Sequence, residues 1–233
     1  MHITVRPTDI LVQRQQLLSR LGYNSISQFK LTTFLERALF IASILAKPEA
    51  VYIERNIIGR SDNSMNITGK HVFKTTNIGQ YINSCCSRLI IFVATIGNRL
   101  ENEVSRMLGS GDTLTAFFLN AAGSQYMENF AEYITNYITA QQPNGIITTN
   151  RYSPGYCDWK ITDQVTIFKL LEPKKLCVTL NEKCLMEPLK SISGIMGVGK
   201  EAVIASTPMP CQTCQKYNCS HRINNQNRKI KEG

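Results

Sequence analysis

Apolar residues recur at helical spacing in several long stretches of the chain. Residues 8–21 and 29–46 each carry one apolar side, and Pro48 follows the second stretch. The longest such pattern starts at Asp112 and continues to about residue 141 without a proline. We expect one long helix there, with Gly123 inside it where a neighbouring element packs closely. Shorter helices are predicted after Gly97 and from Thr162.

Short apolar runs with other spacings predict strands. Leu89–Ala94 is a continuous run rich in branched residues, which is typical of a buried central strand. Further strands are predicted at "AVYIER", "HVFK", "GIITTN", "LCVTLN" and "SISGIMGVG", with "EAVIAS" as a weaker edge strand. Strands and helices do not alternate regularly. The order favours an α+β fold, a single domain with a twisted, mainly antiparallel sheet flanked by helices, one of them long and central.

Composition changes only near the C-terminus. Hydrophobic residues make up 43% of the 233 residues, enough for a core of ordinary size. No linker divides the chain before about residue 206, where the sequence becomes polar, basic and cysteine-containing. We therefore predict one domain over residues 1–205 and an appendage over 206–233.

Charge and hydropathy exclude several classes of protein. The net charge is +9, but the basic residues are not interleaved with aromatic ones, so nucleic acid is not expected as a partner. The basic surface would instead attract an acidic protein. Because there is no apolar run of about 18 residues and no signal peptide, we expect a cytoplasmic protein without a membrane partner. In that compartment most of the eight cysteines would be reduced thiols.

The segment "RYSPGY", residues 151–156, carries the most specific chemistry. The Arg151 guanidinium can bind a carboxylate through two parallel hydrogen bonds. Pro154 fixes its own φ angle, and Gly155 allows a ligand to approach the main chain. The ring of Tyr156 attracts a cation. These groups suit a small zwitterionic ligand, although a plain surface turn would use the same proline and glycine.

Four stretches together resemble the activation domain of cobalamin-dependent methionine synthase in a stand-alone form. They cover roughly residues 85–200 and read "FVATIGNRLENEV", "NFAEYITNYI", "RYSPGYCDWKITDQVTIFKLL" and "LNEKCLMEPLKSISGI". The resemblance implies S-adenosylmethionine as a bound cofactor and a cobalamin carried by a partner. It implies that one electron and the methyl group of S-adenosylmethionine convert inactive cob(II)alamin to methylcobalamin.

The resemblance also implies which residues bind the ligand. Arg151 would contact its carboxylate, and Ser153, Gly155 and Tyr156 would line the site. Glu128, with Glu132 one helical turn further on, would lie near the ammonium or sulfonium group. Glu182 and Ser193 match the fourth stretch, mainly as scaffold. The family also uses an N-terminal aspartate, for which Asp9 and Asp62 are the candidates. No histidine cluster or other catalytic dyad stands out, so no catalytic residue is assigned.

The C-terminal appendage contains a cysteine pattern that can bind metal. Cys211, Cys214, Cys219 and His221 provide three thiols and an imidazole, a set that suits tetrahedral zinc. Three cysteines could also hold an iron-sulfur cluster with a fourth ligand such as Cys157. A reduced tail without metal is the alternative.

Two functions follow from these observations. In the first, the protein supports reductive remethylation of cob(II)alamin in trans, on a truncated cobalamin-dependent methionine synthase or another corrinoid protein. A flavodoxin- or ferredoxin-like protein would be its electron donor, and the protein would then be a methyltransferase component. In the second, it is a non-catalytic protein that senses S-adenosylmethionine or serves assembly, with a metal-binding tail.

Overall fold

A computed structural model describes residues 1–23, 29–61, 63–69 and 71–213 of the chain. It contains nine strands: β1 (His2–Thr4), β2 (Glu49–Ser61), β3 (Ser64–Ile67), β4 (His71–Phe73), β5 (Arg88–Thr95), β6 (Ile146–Thr148), β7 (Thr179–Leu180), β8 (Met186–Glu187) and β9 (Ser191–Lys200). Its α-helices are α1 (Arg14–Arg20), α2 (Phe29–Leu45), α3 (Asn77–Cys85), α4 (Arg99–Gly109), α5 (Thr113–Ala140), α6 (Gln164–Leu171), α7 (Glu201–Ser206) and α8 (Pro210–Thr213). Three short 3₁₀ turns complete the regular structure of these residues.

The chain divides into two compact units. Of the described residues, the first contains those within 1–53, 92–140 and 168–193, and the second contains those within 54–91, 141–167 and 194–213. One boundary follows the end of α5, and the others fall inside β2, β5, α6 and β9, so each of these four elements contributes residues to both units.

The first unit is built on the long helix α5, to which α1, α2 and α4 pack. Helix α2 buries Leu35, Ala38 and Ala42 on one side. Gly123 lets α4 approach closely, because a Cβ atom at that position would lie 2.7 Å from Cδ2 of Leu100. The predicted long helix and the role of Gly123 are thus confirmed. In the same unit β1 pairs antiparallel with the start of β2, and β7 pairs antiparallel with β8.

The second unit contains the sheet portion with the order β4-β3-β2-β5-β9-β6. The registers described for β2–β3, β3–β4 and β6–β9 are all antiparallel. The residues of β5 are buried from Leu89 onward, which explains the uninterrupted apolar run in the sequence. The α+β class with a mainly antiparallel sheet is confirmed. No helix in the described ranges is long and apolar enough to cross a membrane.

Three predictions of local structure were wrong or incomplete. Residues 201–206, "EAVIAS", form helix α7 and not an edge strand, with Ile204 as their buried residue. The predicted helix 8–21 begins only at Arg14, because Pro7–Asp9 form a 3₁₀ turn and Gln13 makes a capping box with Gln16. Helix α3 was missed altogether, although Thr76 at its N-cap position is a residue type that often caps helices.

The end of α3 packs against a glycine-rich part of β9. A Cβ atom at Gly197 would collide with the Cys86 thiol, and one at Gly199 would collide with the Cys85 carbonyl oxygen. A main-chain atom cannot move aside as a flexible side chain can, so Gly199 is the stricter of the two positions.

We predict that Gly199→Ala lowers the free energy of unfolding by about 3 kcal/mol, the upper range for overpacking a core. Gly109→Ala is the matched control, because Gly109 is helical and has no other atom within 4 Å of an added Cβ. That control should be neutral or stabilising by up to about 1 kcal/mol. Urea denaturation measures both values, and equal midpoints for the two variants would contradict this view of the α3–β9 contact.

Candidate functional site

The turn predicted to bind the ligand lies in the second unit, between β6 and α6. Its main chain is bonded to itself: Tyr156 N donates to Ser153 O at 3.1 Å, and Gly155 N donates to Trp159 O at 2.7 Å. Gly155 has a φ angle of +100°, a conformation that residues with a side chain rarely adopt. Its position is exposed, so the bend presents bare main chain to the surface.

Asp158 fastens the turn to the N-terminus of α3. Its carboxylate accepts hydrogen bonds from the main-chain N–H groups of Thr76 and Asn77, from the Asn77 amide and from the Thr75 hydroxyl. Thr76 occupies the N-cap position of α3, but its own side chain makes no capping bond. The helix is therefore capped by a residue that lies about eighty positions further along the chain.

Trp159 holds the other side of the turn. Its ring is buried and meets Phe73 of β4 edge to face, with centroids 5.5 Å apart. The indole N–H donates to Oδ2 of Asp163 at 2.8 Å, and the same oxygen accepts from the Lys74 main-chain N–H at 3.1 Å. The chain's single tryptophan is thus an anchor and not an exposed ligand-binding ring.

Tyr152 ties the start of the turn to β9. Its main chain exchanges two hydrogen bonds with Ile195, at 3.0 and 2.8 Å. Its ring is buried against Tyr81, and burial raises the pKa of the Tyr152 hydroxyl well above its ordinary value. That hydroxyl has no hydrogen-bond partner among the described residues.

The predicted ligand residues of this turn are more accessible than the residues between them. Arg151, Ser153 and Tyr156 are half-buried, and Gly155 is exposed. Accessibility alternates along the start of the segment, because Tyr152 and Pro154, which lie between these residues, are buried. The turn carries a guanidinium, a hydroxyl, a phenol ring and the exposed main chain of Gly155 on one fixed loop.

The predicted carboxylates belong to the first unit. Glu128 and Glu132 are exposed on α5, one turn apart. Glu132 lines an open depression of about 250 Å³ together with Asp9, Ile10, Leu11, Gln16, Asn129, Tyr133 and Asn136. Asp9 is one of the two aspartates proposed from the N-terminal part. The other, Asp62, lies outside the described residues.

Two hydrogen bonds hold the N-terminal segment against α5 and so place Asp9 beside Glu132. The Tyr126 hydroxyl donates to the Pro7 carbonyl, and the Asn129 amide donates to the Leu11 carbonyl at 2.6 Å. Asp9 itself forms an exposed ion pair with Arg6 at 3.1 Å. Sequence spacing could not reveal this arrangement, because the hydrogen-bonded residues lie about 120 positions apart in the chain.

The remaining predicted positions are spread over the fourth stretch and the tail. Glu182 is exposed in the turn between β7 and β8, and Ser193 is buried in β9. Of the proposed metal ligands only Cys211, in α8, is described; Cys214, Cys219 and His221 lie outside the described residues. Within the described ranges no three histidine, cysteine, aspartate or glutamate side chains form a group that could hold a metal ion.

We predict that Asp158 stabilises the fold in a pH-dependent way. Burial opposes ionisation of its carboxyl group, but the hydrogen bonds from Thr76 and Asn77 outweigh burial and set the pKa below the ordinary value of 3.8. A lowered folded-state pKa stabilises the protein above the unfolded-state pKa, and this contribution is lost as the pH falls through the folded-state pKa.

Asp158→Ala should therefore cost about 1 kcal/mol at pH 7, the usual loss for a missing helix cap. Asp158→Asn keeps an acceptor oxygen without the charge, and its deficit relative to wild type should begin to shrink below about pH 4 and disappear only below the folded-state pKa of Asp158. Thermal denaturation across this pH range measures both variants. A deficit of Asp158→Asn that does not change with pH would contradict the assignment.

Comparisons with known proteins agree with the resemblance noted in the sequence. Residues 80–206, more than half of the chain, match the model for the activation domain of vitamin B12 dependent methionine synthase. Among solved structures, the chain is similar to the crystal structure of the MetH reactivation domain bound to AdoHcy. The TM-score is 0.63 at 14% identity, with 86% of this chain and 78% of that chain covered, which shows a shared fold. No curated protein matches the chain. The chain belongs to the family of vitamin B12 dependent methionine synthase activation domains.

Proposed function

We propose that this protein binds S-adenosylmethionine at the 151–156 turn and supports reductive remethylation of cob(II)alamin on a partner protein. The observation that carries the proposal is the fixed turn, with a half-buried Arg151 and the exposed main chain of Gly155. Membership of the activation-domain family and the AdoHcy-bound structural relative support the same ligand.

Each part of the ligand has a matching group in the chain. The Arg151 guanidinium binds the carboxylate as a two-pronged donor, and the main chain around Gly155 lies where a ligand can approach it closely. The Tyr156 ring suits the sulfonium charge. Asp9, Glu128 and Glu132, all in the first unit, are separate candidates for contact with the positive groups of the ligand, and Ser153, Glu182 and Ser193 remain candidate supporting positions.

The proposed reaction needs alignment more than proton transfer. One electron and one methyl cation together convert cob(II)alamin to methylcobalamin, the carbon–sulfur bond breaks, and S-adenosylhomocysteine leaves. No proton moves, so a site without an acid–base pair is sufficient. The partner carries the cobalamin and is a methionine synthase without this domain, or another corrinoid protein acting with it in trans. A flavodoxin- or ferredoxin-like protein supplies the electron.

We predict that Arg151→Ala weakens S-adenosylmethionine binding by at least about tenfold, because a charge-assisted hydrogen bond contributes about 1.5–3 kcal/mol. Isothermal titration calorimetry on the full chain measures the affinity. Lys160→Ala is the matched control, since Lys160 is an exposed cation close to the same turn. Unchanged affinity of Arg151→Ala would refute the site, whereas wild type that binds no S-adenosylmethionine would refute the function.

A second experiment separates methyl transfer from binding alone. The partner is loaded with cob(II)alamin, and its absorption spectrum is followed after a chemical reductant, this protein and S-adenosylmethionine are added. At a subsaturating concentration of S-adenosylmethionine, methylcobalamin should form about tenfold more slowly with Arg151→Ala than with wild type. Tight binding without any methylcobalamin would favour the sensing or assembly function.

The metal site and the domain boundary at residue 206 remain proposals. Zinc or an iron-sulfur cluster at Cys211, Cys214, Cys219 and His221 rests on their spacing alone. Metal analysis of protein purified without oxygen tests it, and protein with neither zinc nor iron would rule the site out.

A further inference from the structure

Two neighbouring thiols meet at the C-terminal end of α3, inside the second unit. Cys85 is the last residue of the helix, and Cys86 is its C-cap. Neither residue forms a disulfide, both are buried, and their sulfur atoms lie 3.5 Å apart. The pair has no part in the candidate ligand turn or in the cysteine pattern of the tail. Two thiols in contact are the reduced form of a possible disulfide.

Hydrogen bonds make the two thiols chemically different. The Cys85 thiol donates to the Tyr81 carbonyl oxygen at 3.1 Å, so the Cys86 thiol is the donor in the contact between the two sulfur atoms. This bond from Cys86 lowers the pKa of Cys85 below its ordinary value, although burial opposes the shift. The same bond, together with burial, raises the pKa of Cys86. Cys85 therefore ionises first, and the thiolate is the form that attacks an oxidant.

The surroundings of the pair restrict which oxidant can reach it. Cys85 is 6% exposed and Cys86 is 4% exposed, so a bulky disulfide reagent cannot approach their sulfur atoms. On the side of β9 the Cys86 sulfur rests against Gly197, where a Cβ atom would lie 2.4 Å from it. The pair thus faces main chain there and not another side chain of β9. An oxidant that reacts at this place must be as small as hydrogen peroxide.

A bond between adjacent cysteines differs from an ordinary structural disulfide. The sulfur atoms must close from 3.5 Å to about 2.05 Å, and the Cys85 thiol gives up its bond to the Tyr81 carbonyl. Consecutive Cα atoms are about 3.8 Å apart, which is closer than the usual separation of bridged cysteines. The resulting bond is strained, and strained disulfides are easily reduced again. The geometry therefore suits a reversible modification.

We propose that Cys85 and Cys86 are a modification site at which hydrogen peroxide forms a reversible disulfide. The Cys85 thiolate attacks one peroxide oxygen, the O–O bond breaks, hydroxide leaves, and Cys85 becomes a sulfenic acid. The Cys86 sulfur then attacks the Cys85 sulfur, the S–S bond forms and water leaves. In total the two thiols lose two electrons and two protons, and the peroxide is reduced to two water molecules. This chemistry goes beyond the proposed function, in which neither cysteine takes part.

The test is peptide mass analysis of the native full chain after treatment with hydrogen peroxide, alkylation of the remaining thiols and digestion with trypsin. Cleavage after Lys74 and Arg88 places both cysteines in one peptide, residues 75–88, which contains no other cysteine. That peptide should lose two hydrogen masses and take up no alkylating reagent, and dithiothreitol should restore both thiols. Cys177, exposed but single in the peptide of residues 176–183, should still be alkylated.

Two variants test the order of the steps. Cys86→Ser keeps a hydroxyl donor beside Cys85 but cannot form the bond, so dimedone should trap a sulfenic acid on Cys85. Cys85→Ser should give no adduct on Cys86 at the same peroxide concentration, and equal labelling of both variants would overturn the assigned roles. The wild-type measurement needs neither variant nor S-adenosylmethionine. The site would be refuted if residues 75–88 keep both thiols while Cys177 is oxidised, or if they form only sulfinic acid.

Discussion

The carboxylate of Asp158 fixes the position of the candidate binding turn. It caps α3 from a distant part of the chain and accepts the main-chain N–H groups of Thr76 and Asn77. The buried ring of Trp159 against Phe73 reinforces this attachment. A loop that is fastened by charge-assisted hydrogen bonds and by aromatic packing loses little conformational freedom when a ligand binds to it. The rest of the proposed site depends on that rigidity.

One short segment therefore combines two roles that differ in chemistry. The side chains of residues 158, 159 and 163 make the bonds and contacts that hold the turn, whereas the candidate ligand residues Arg151 and Tyr156 are half-buried and Gly155 is exposed. A methyl transfer without proton transfer needs a donor that is aligned with its acceptor. In the function that we propose, the separation of anchoring residues from ligand residues serves this alignment without an acid–base pair.

Local sequence patterns predicted the elements that depend on local forces. The long helix α5, the buried strand β5 and the close approach at Gly123 follow from periodicity and glycine placement. Helix α7 was taken for a strand because six residues are too few to separate the two periodicities. The cap of α3 by Asp158 and the position of Asp9 beside Glu132 could not be predicted, since each joins segments far apart in the chain. The ligand itself was inferred from family motifs and not from periodicity.

The most direct test of the preformed turn is an NMR titration of the ¹⁵N-labelled protein with S-adenosylmethionine. The account predicts saturable shifts of the Gly155 and Tyr156 amide signals, with little change at Thr76 and Asn77, whose N–H groups stay bonded to Asp158. Saturable binding that leaves Gly155 and Tyr156 unperturbed, or that displaces the Thr76 and Asn77 signals strongly, would contradict it.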